Sequence, residues 1–551
     1  MSPLPSTERS NAPAGEQRGR KRCTLHGRRA AAGIRPRGVD AEGGAFYTSR
    51  VTQQKPVPGV AVRTPHLAHP LAGKTSIAIG VMLALLAVPY VAPGLARFRV
   101  ARAPWDHDAV SADLANAATA PTSAAQLTQG ETTLKASKNE ATVTNALPDA
   151  PARPAAAAGL DAAALAKTKG SVAVEDATGH ALDAFYTSLA KTRAKQPGAV
   201  TRILHYGDSV ITSDYVSGTM RRKMQAELGD AGHGFILVAN PWEWYFHNDV
   251  VHGAGEGWSS SRITGPTTKD GMYGLGGVTF TGTPGASAFF GTSDKGTHGK
   301  KVSRFDVYYL ETPGGGEVEA KIGTTVERFS TKGESKASRI KSFTVADGEA
   351  KMTLRVMSGS PRLFGVALER DQAGVVYDAL GANGARAELL GSINPAHLAE
   401  QMALRKPALI VLQYGTNESE APGLARDYEK TLGAVVSMMK AAAPNASVLI
   451  AAPLDRAETS EGGALRTKPI IKKLVAAQRN VAKESGVAFY NTFEAMGGEG
   501  SMAKWMKTGL GGGDLTHPTP QGAEALGDLF YSSLTTGFEA WLSRHPDAAK
   551  P

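Results

Sequence analysis

From residue 200 onward, short and nearly continuous apolar runs alternate with amphipathic stretches. VTRILHYG (200–207), VVYDAL (375–380), PALIVLQYG (407–415), ASVLIAAP (446–453) and VAFYNTF (487–493) read as strands buried on both faces. Helical spacing fills the gaps. Leu182, Phe185, Leu189 and Ala190 recur on one face, and residues 215–229 close on Gly229. Residues 395–404 predict a helix, as do 424–443, where Tyr428, Leu432, Val435 and Met439 share a side. Another helix is expected over 468–486 and a last one from Pro520 onward. Such alternation predicts an α/β domain in three layers, a parallel sheet covered by helices on both faces.

Residues 241–373 have another character. They are rich in Gly and Thr, and SRFDVYYLET, GEVEAKIG, RIKSFTVA and MTLRVMSG alternate apolar with polar positions, as half-buried strands do. TPGGGE and ADGE supply turns between them. A β-sandwich inserted into the α/β domain is therefore expected, with 171–240 and 374–545 as the two halves of the host.

Upstream, the pattern changes twice. Residues 77–96 form an uncharged apolar run. About 20 residues at ~1.5 Å rise can cross a ~30 Å hydrocarbon core. Lys74 precedes it and Arg97 and Arg99 follow, so 74–97 reads as a membrane anchor or an export signal. Either places the folded part outside the cytoplasm, in the cell envelope. Residues 98–170, rich in Ala, Pro and Thr, have few large side chains to bury and read as a linker.

The chain has 551 residues and a net charge of +10. Residues 1–74 hold 13 Lys and Arg against 4 Asp and Glu, a surplus of nine. The charge thus belongs to a basic tail, 1–73, and the nearly neutral remainder gives no reason to expect a nucleic-acid partner. The single cysteine, Cys23, lies in that tail, so no intrachain disulfide forms.

Three motifs stand at predicted strand ends. His205-Tyr206-Gly207-Asp208-Ser209 puts a serine where a strand gives way to a helix, at the sheet edge where α/β proteins bind ligands. Free N–H groups at the helix start can hold negative charge there. Asp208 is expected to bond the turn. Tyr414-Gly415-Thr416-Asn417-Glu418 follows the most apolar strand; Asn417 can donate to an oxyanion or cap a turn. Asp514-Leu515-Thr516-His517 lies just before the last helix. Its three-residue gap lets a carboxylate fix the imidazole that would activate a serine. Neither an HExxH run nor paired cysteines occur, so no metal or other cofactor is expected. In Pro241-Trp242-Glu243-Trp244-Tyr245-Phe246-His247, core packing is favoured over stacking on sugar rings.

Taken together, these blocks resemble the SGNH (GDSL) hydrolase superfamily, with Ser, Gly, Asn and His in that order. GDS matches the first block and GTNE the third; DLTH matches the last. GANGA is the best match for the second, giving Gly384 as the oxyanion glycine and Gly381 as the next choice. Val210 stands where leucine is usual, and Glu418 where aspartate is usual. The resemblance implies a flavodoxin-like sheet and a serine esterase. Ser209 would be its nucleophile, His517 its base and Asp514 the residue orienting the base. Ser209, Gly384 and Asn417 would form the oxyanion hole.

HYGDSVITSDYVSG, GDAGHGF, a β-rich insert, GANGA and YGTNE narrow the likeness to bacterial peptidoglycan O-acetylesterases, which carry an inserted carbohydrate-binding-like β-sandwich. That implies removal of acetyl from O-acetylated polysaccharide, with peptidoglycan as the expected partner and the 77–96 segment holding the chain to a membrane. The same triad would serve an O-acetyltransferase. A lipase or thioesterase would need an apolar groove that the Gly-rich, polar loops do not suggest. A non-enzymatic wall-binding protein would leave the complete residue set unexplained.

Overall fold

The computed structural model describes residues 172–420 and 427–549. The basic tail, the apolar segment 77–96 and the linker lie outside the described residues. No helix among the described residues is long and apolar enough to cross a membrane.

Five parallel strands form the central sheet: β1 (Val200–Gly207), β2 (Gly374–Gly381), β3 (Leu409–Gln413), β4 (Ser447–Ala451) and β5 (Ala488–Tyr490). Their order is β2-β1-β3-β4-β5, the flavodoxin-like arrangement. Every residue of β2 to β5 is buried, which is why the sequence shows unbroken apolar runs there. Six long helices accompany the sheet: α1 (Asp183–Arg193), α2 (Tyr215–Leu228), α3 (Pro395–Arg405), α4 (Tyr428–Ala442), α5 (Pro469–Ser485) and α6 (Pro520–Arg544).

Successive strand side chains point to opposite faces. Ile203, Leu409, Val411 and Leu449 share one core with α1, α2 and α6. Leu204, Ile410, Leu412 and Ile450 share another with α3, α4 and α5. The three layers follow from that alternation. Helix limits follow from local chemistry. Gly486 ends α5 in the left-handed region, with φ of 63°. At the start of α6, the Thr519 hydroxyl accepts from the Gly522 N–H and Pro520 takes the first helical position.

The insert is built from two antiparallel sheets. One runs Ala337–Gly348, Val302–Glu311, Arg362–Glu369, Val278–Gly282 and Trp258–Arg262, with Gly234–Leu237 also paired to Arg362–Glu369. The other runs Val250–Ala254, Ser287–Thr292, Lys351–Gly359, Gly316–Ile322 and Thr325–Ser330. Phe280, Val307 and Leu310 from the first sheet and Phe290, Met352 and Leu354 from the second are buried in one core.

That core is continuous with the α3–α5 side of the host. A buried ionic seam joins the same two parts. Glu369, ending an insert strand, pairs with Arg202 of β1 at 2.7 Å, and with Arg304 and Arg405. Both oxygens of Asp378 in β2 accept from Arg405, at 2.6 and 2.7 Å, and one accepts from the Phe235 N–H. Removing one partner of such a seam would strand a buried charge.

The last three strands are shorter than their runs 407–415, 446–453 and 487–493 predict. β5 stops at Tyr490, because the Asn491 side chain accepts from the Glu494 N–H and caps a short helix, Thr492–Ala495. The 241–247 cluster divides. Tyr245 is fully buried and Trp242 packs against the core, whereas Trp244 is 57 % exposed.

Candidate active site

The register places the motif loops side by side. Gly207, the last residue of β1, pairs with Gly381 on one side and Gln413 on the other. The chains that continue from these three positions therefore leave the sheet at one edge. It is the edge, at the switch point between β1 and β3, where open α/β sheets hold ligands.

Gly207 turns into the helical turn Ser209–Thr212 with no room for a side chain. A Cβ there would meet Ile211 Cγ1 at 2.4 Å. Asp208 is the N-cap, and its Oδ1 accepts from the Val210 N–H at 3.1 Å. Burial raises the Asp208 carboxyl; bonds from the Val210 N–H and the Thr416 hydroxyl pull it back only partly. The capping bond agrees with a structural role for Asp208. His205 is also spent on structure: one ring nitrogen meets Tyr377 Oη and the other Gln413 Oε1, both at 2.9 Å. Burial pushes its pKa down to about 3, so it stays neutral.

Ser209, His517 and Asp514 come together. Ser209 Oγ lies 2.8 Å from His517 Nε2, and His517 Nδ1 lies 2.5 Å from Asp514 Oδ2. The second oxygen of Asp514 accepts the backbone N–H groups of Thr516 and His517 at 3.0 and 2.9 Å. Leu515 closes this loop with φ of 59°. A left-handed leucine costs roughly 1–2 kcal/mol, which the bonds to Asp514 offset. Burial pushes the Asp514 carboxyl up, but the His517 ring and the two N–H groups outweigh it and hold it at about 2. With Nδ1–H held by a carboxylate, Nε2 is left to accept from the serine hydroxyl. The His517 and Asp514 side chains are about a third exposed.

The two candidate glycines do different things. Gly381 lies against the serine turn, and a Cβ there would sit 2.3 Å from the Thr212 nitrogen. Gly384 stands in a turn with φ of 73° and open space beside it. Among the described residues the backbone N–H groups of Ser209 and Gly384 donate to nothing. One amide N–H of Asn417 donates to the Ala385 carbonyl at 2.8 Å, bracing the Gly384 turn, and the other is uncommitted among the described residues.

Glu418, noted in the sequence only as a departure from the family pattern, also holds that turn. Its Oε1 accepts the Ala387 N–H at 2.8 Å, while Oε2 is buried with no partner among the described residues. Burial raises its pKa from 4.5 to about 7, with nearby Asp208 adding to the rise against backbone N–H bonds. Between those values the folded chain keeps a proton that the unfolded chain has lost. Stability therefore falls as pH rises through that window, by up to about 3 kcal/mol. Glu418→Gln keeps an acceptor for Ala387 and cannot ionise. Its stability relative to wild type, read by urea unfolding, is expected to improve between pH 5 and pH 8. A pH-independent difference would mean that Glu418 does not titrate in this window.

One group of three potential metal ligands occurs among the described residues: Asp214, His233 and His247. Arg221 already occupies both oxygens of Asp214, and Ser217 Oγ and the Asn248 N–H add further bonds. A guanidinium thus stands where an ion's charge would go.

The family model for GDSL-like lipase/acylhydrolase proteins matches residues 342–525. That span contains Gly384, Asn417, Asp514 and His517; Ser209 lies before it, across the insert. The structure of a peptidoglycan O-acetylesterase is similar, with a TM-score of 0.55 at 22% identity, over 67% of this chain and 99% of that one. It establishes a shared fold. A family two carbohydrate esterase from Cellvibrio japonicus gives 0.23 at 12% identity, over 53% and 98% of the two chains. An acetylxylan esterase from Geobacillus stearothermophilus gives 0.22 at 18%, over 29% and 73%. No curated protein matches this chain.

Proposed function

We propose that this chain, a carboxylic ester hydrolase of the SGNH (GDSL) superfamily, removes acetyl groups from O-acetylated carbohydrate, with peptidoglycan as its substrate. The bonded series Ser209–His517–Asp514 carries the reading. As Ser209 Oγ attacks the ester carbonyl, His517 Nε2 takes its proton and Asp514 steadies the imidazolium. The free N–H groups of Ser209 and Gly384 and the spare Asn417 amide N–H receive the oxyanion. The sugar alkoxide leaves with the proton from His517, and water, activated by the same ring, then releases acetate.

Two observations support the substrate class. The fold spans nearly the whole of a peptidoglycan O-acetylesterase. The loop carrying exposed Trp244 is tied to the serine turn, where the Phe246 N–H donates to the Thr212 carbonyl at 3.1 Å. An indole presented there can stack on a sugar ring. The exposure of His517 lets water reach the acyl-enzyme, which favours hydrolysis over transfer to a second sugar. The location that follows is the cell envelope, with residues 77–96 holding the chain to the inner membrane and 98–170 as the tether.

The test is acetate release by the full-length chain from O-acetylated peptidoglycan and from an artificial acetyl ester. Acetate from both is expected. Turnover of the artificial ester alone would remove peptidoglycan as the substrate and leave the hydrolase.

A further inference from the structure

The segment leaving β4 contains a buried arginine that none of the motifs includes. Arg456 has five N–H donors in a rigid fork, and all five are engaged. Nη1 donates to the Thr416 carbonyl at 2.9 Å and to Ser419 Oγ. Nε and Nη2 both donate to Thr516 Oγ1, at 3.2 and 2.8 Å, and Nη2 also meets Glu420 Oε1 at 2.5 Å. Three of these partners flank Asn417. The fourth, Thr516, lies between Asp514 and His517.

Thr516 completes the link. Its hydroxyl accepts twice from Arg456 and donates once, to the Asp514 carbonyl at 3.1 Å, which uses all its capacity. The arginine backbone is fixed as well. Its carbonyl accepts the Lys468 N–H at 2.8 Å, and the next residue, Ala457, donates its N–H to the Leu515 carbonyl at 3.0 Å. Residues 457–459 and 465–467 pair as a small hairpin behind it.

We infer that Arg456 is a positioning residue that sets the loop of the base, His517, against the loop of the oxyanion donor, Asn417. The inference rests on the esterase reading above. No electron or proton passes through the guanidinium. It fixes the distance between two loops that the sequence separates by about a hundred residues. A planar fork can do this and a lysine ammonium cannot.

Arg456→Lys and Thr516→Val are expected to lower kcat for an artificial acetyl ester by ~100-fold each, the scale of a displacement of about 1 Å at the reacting atoms. Since alignment matters in the transition state, kcat and kcat/KM should fall together. Because both substitutions break one link, the double variant should be no worse than either single one. Thr516→Ser keeps the hydroxyl and should retain activity. It also guards against misfolding of the arginine variant, since the serine–valine contrast stands without it.

Arg456→Lys within about twofold of wild type, losses that multiply in the double variant, or equal losses in Thr516→Ser and Thr516→Val would overturn the inference. An inactive wild type would remove the esterase reading and the positioning role of Arg456 together. An active wild type beside unaffected variants would remove the positioning role alone.

Discussion

Ser209→Ala is expected to lower kcat for acetyl esters by about 10⁶, the loss seen when a serine nucleophile acting with its base is removed. The structure gives the reason. Among the described residues Ser209 carries the one hydroxyl that meets His517 Nε2, and Asp208, its neighbour in sequence, is buried and spent on capping the turn. Alanine removes the attacking oxygen and little else. The N–H groups of Ser209 and Gly384 and the Asn417 amide remain, so the variant should still bind substrate and retain a weak oxyanion-hole rate. Among the described residues the side chain makes one hydrogen bond, to His517, so the change in stability should stay near 1 kcal/mol. Turnover of the artificial acetyl ester and the thermal midpoint, measured side by side, check both parts. A folded variant with a tenth of wild-type kcat would place the nucleophile elsewhere.

Much of this site is legible in the sequence, for a local reason. Ser209 stands directly after a strand whose limits, 200–207, the apolar run marks at both ends. Asp514 and His517 are three residues apart, so their meeting needs only a loop. Asn417 follows the most apolar strand. Helix limits were legible wherever Gly, Pro, Asn or Thr stood at the end, as at Gly486 and Thr519.

What the sequence left open depends on distant contacts. Gly381 and Gly384 look alike as residues. They part only when the serine turn packs against the first and leaves the second in open space. Thr325–Ser330 forms a strand with a single buried residue, Phe329, so no two-residue repeat announces it. Gly234–Leu237 reads as apolar, yet its partner lies in the insert. That pairing, the shared core and the seam at Glu369 make the insert a continuation of the host rather than a detachable module. Arg456 carries no signal at all, because its partners are a carbonyl, hydroxyls and one carboxylate drawn from separate segments.

Asp514→Asn is expected to cost about 10⁴ in kcat, a loss of orientation rather than of the nucleophile. The asparagine carbonyl can still accept the N–H groups of Thr516 and His517, which now bond Oδ1. Its NH₂ then faces His517 Nδ1, which must become the acceptor. The ring proton moves to Nε2, the nitrogen that has to take the serine proton, and the imidazolium formed during attack loses its counter-charge. Wild type is protected from acid on this account. The Asp514 carboxyl, held at about 2, lies below the ordinary 3.8, so its contribution is present above that ordinary value and is lost only as pH falls through about 2. Loss of activity with falling pH above that range must therefore come from another group, and Asp514→Asn should be impaired at every assay pH rather than in acid alone. Nitrogen NMR of the imidazole checks the cause directly: the proton should sit on Nδ1 in wild type and on Nε2 in the variant. A variant with the proton still on Nδ1, or one keeping a tenth of kcat, would show that Asp514 does not set the tautomer. Combined with Ser209→Ala, the substitution should add almost nothing to the loss, since an oriented base without a hydroxyl to deprotonate has no task.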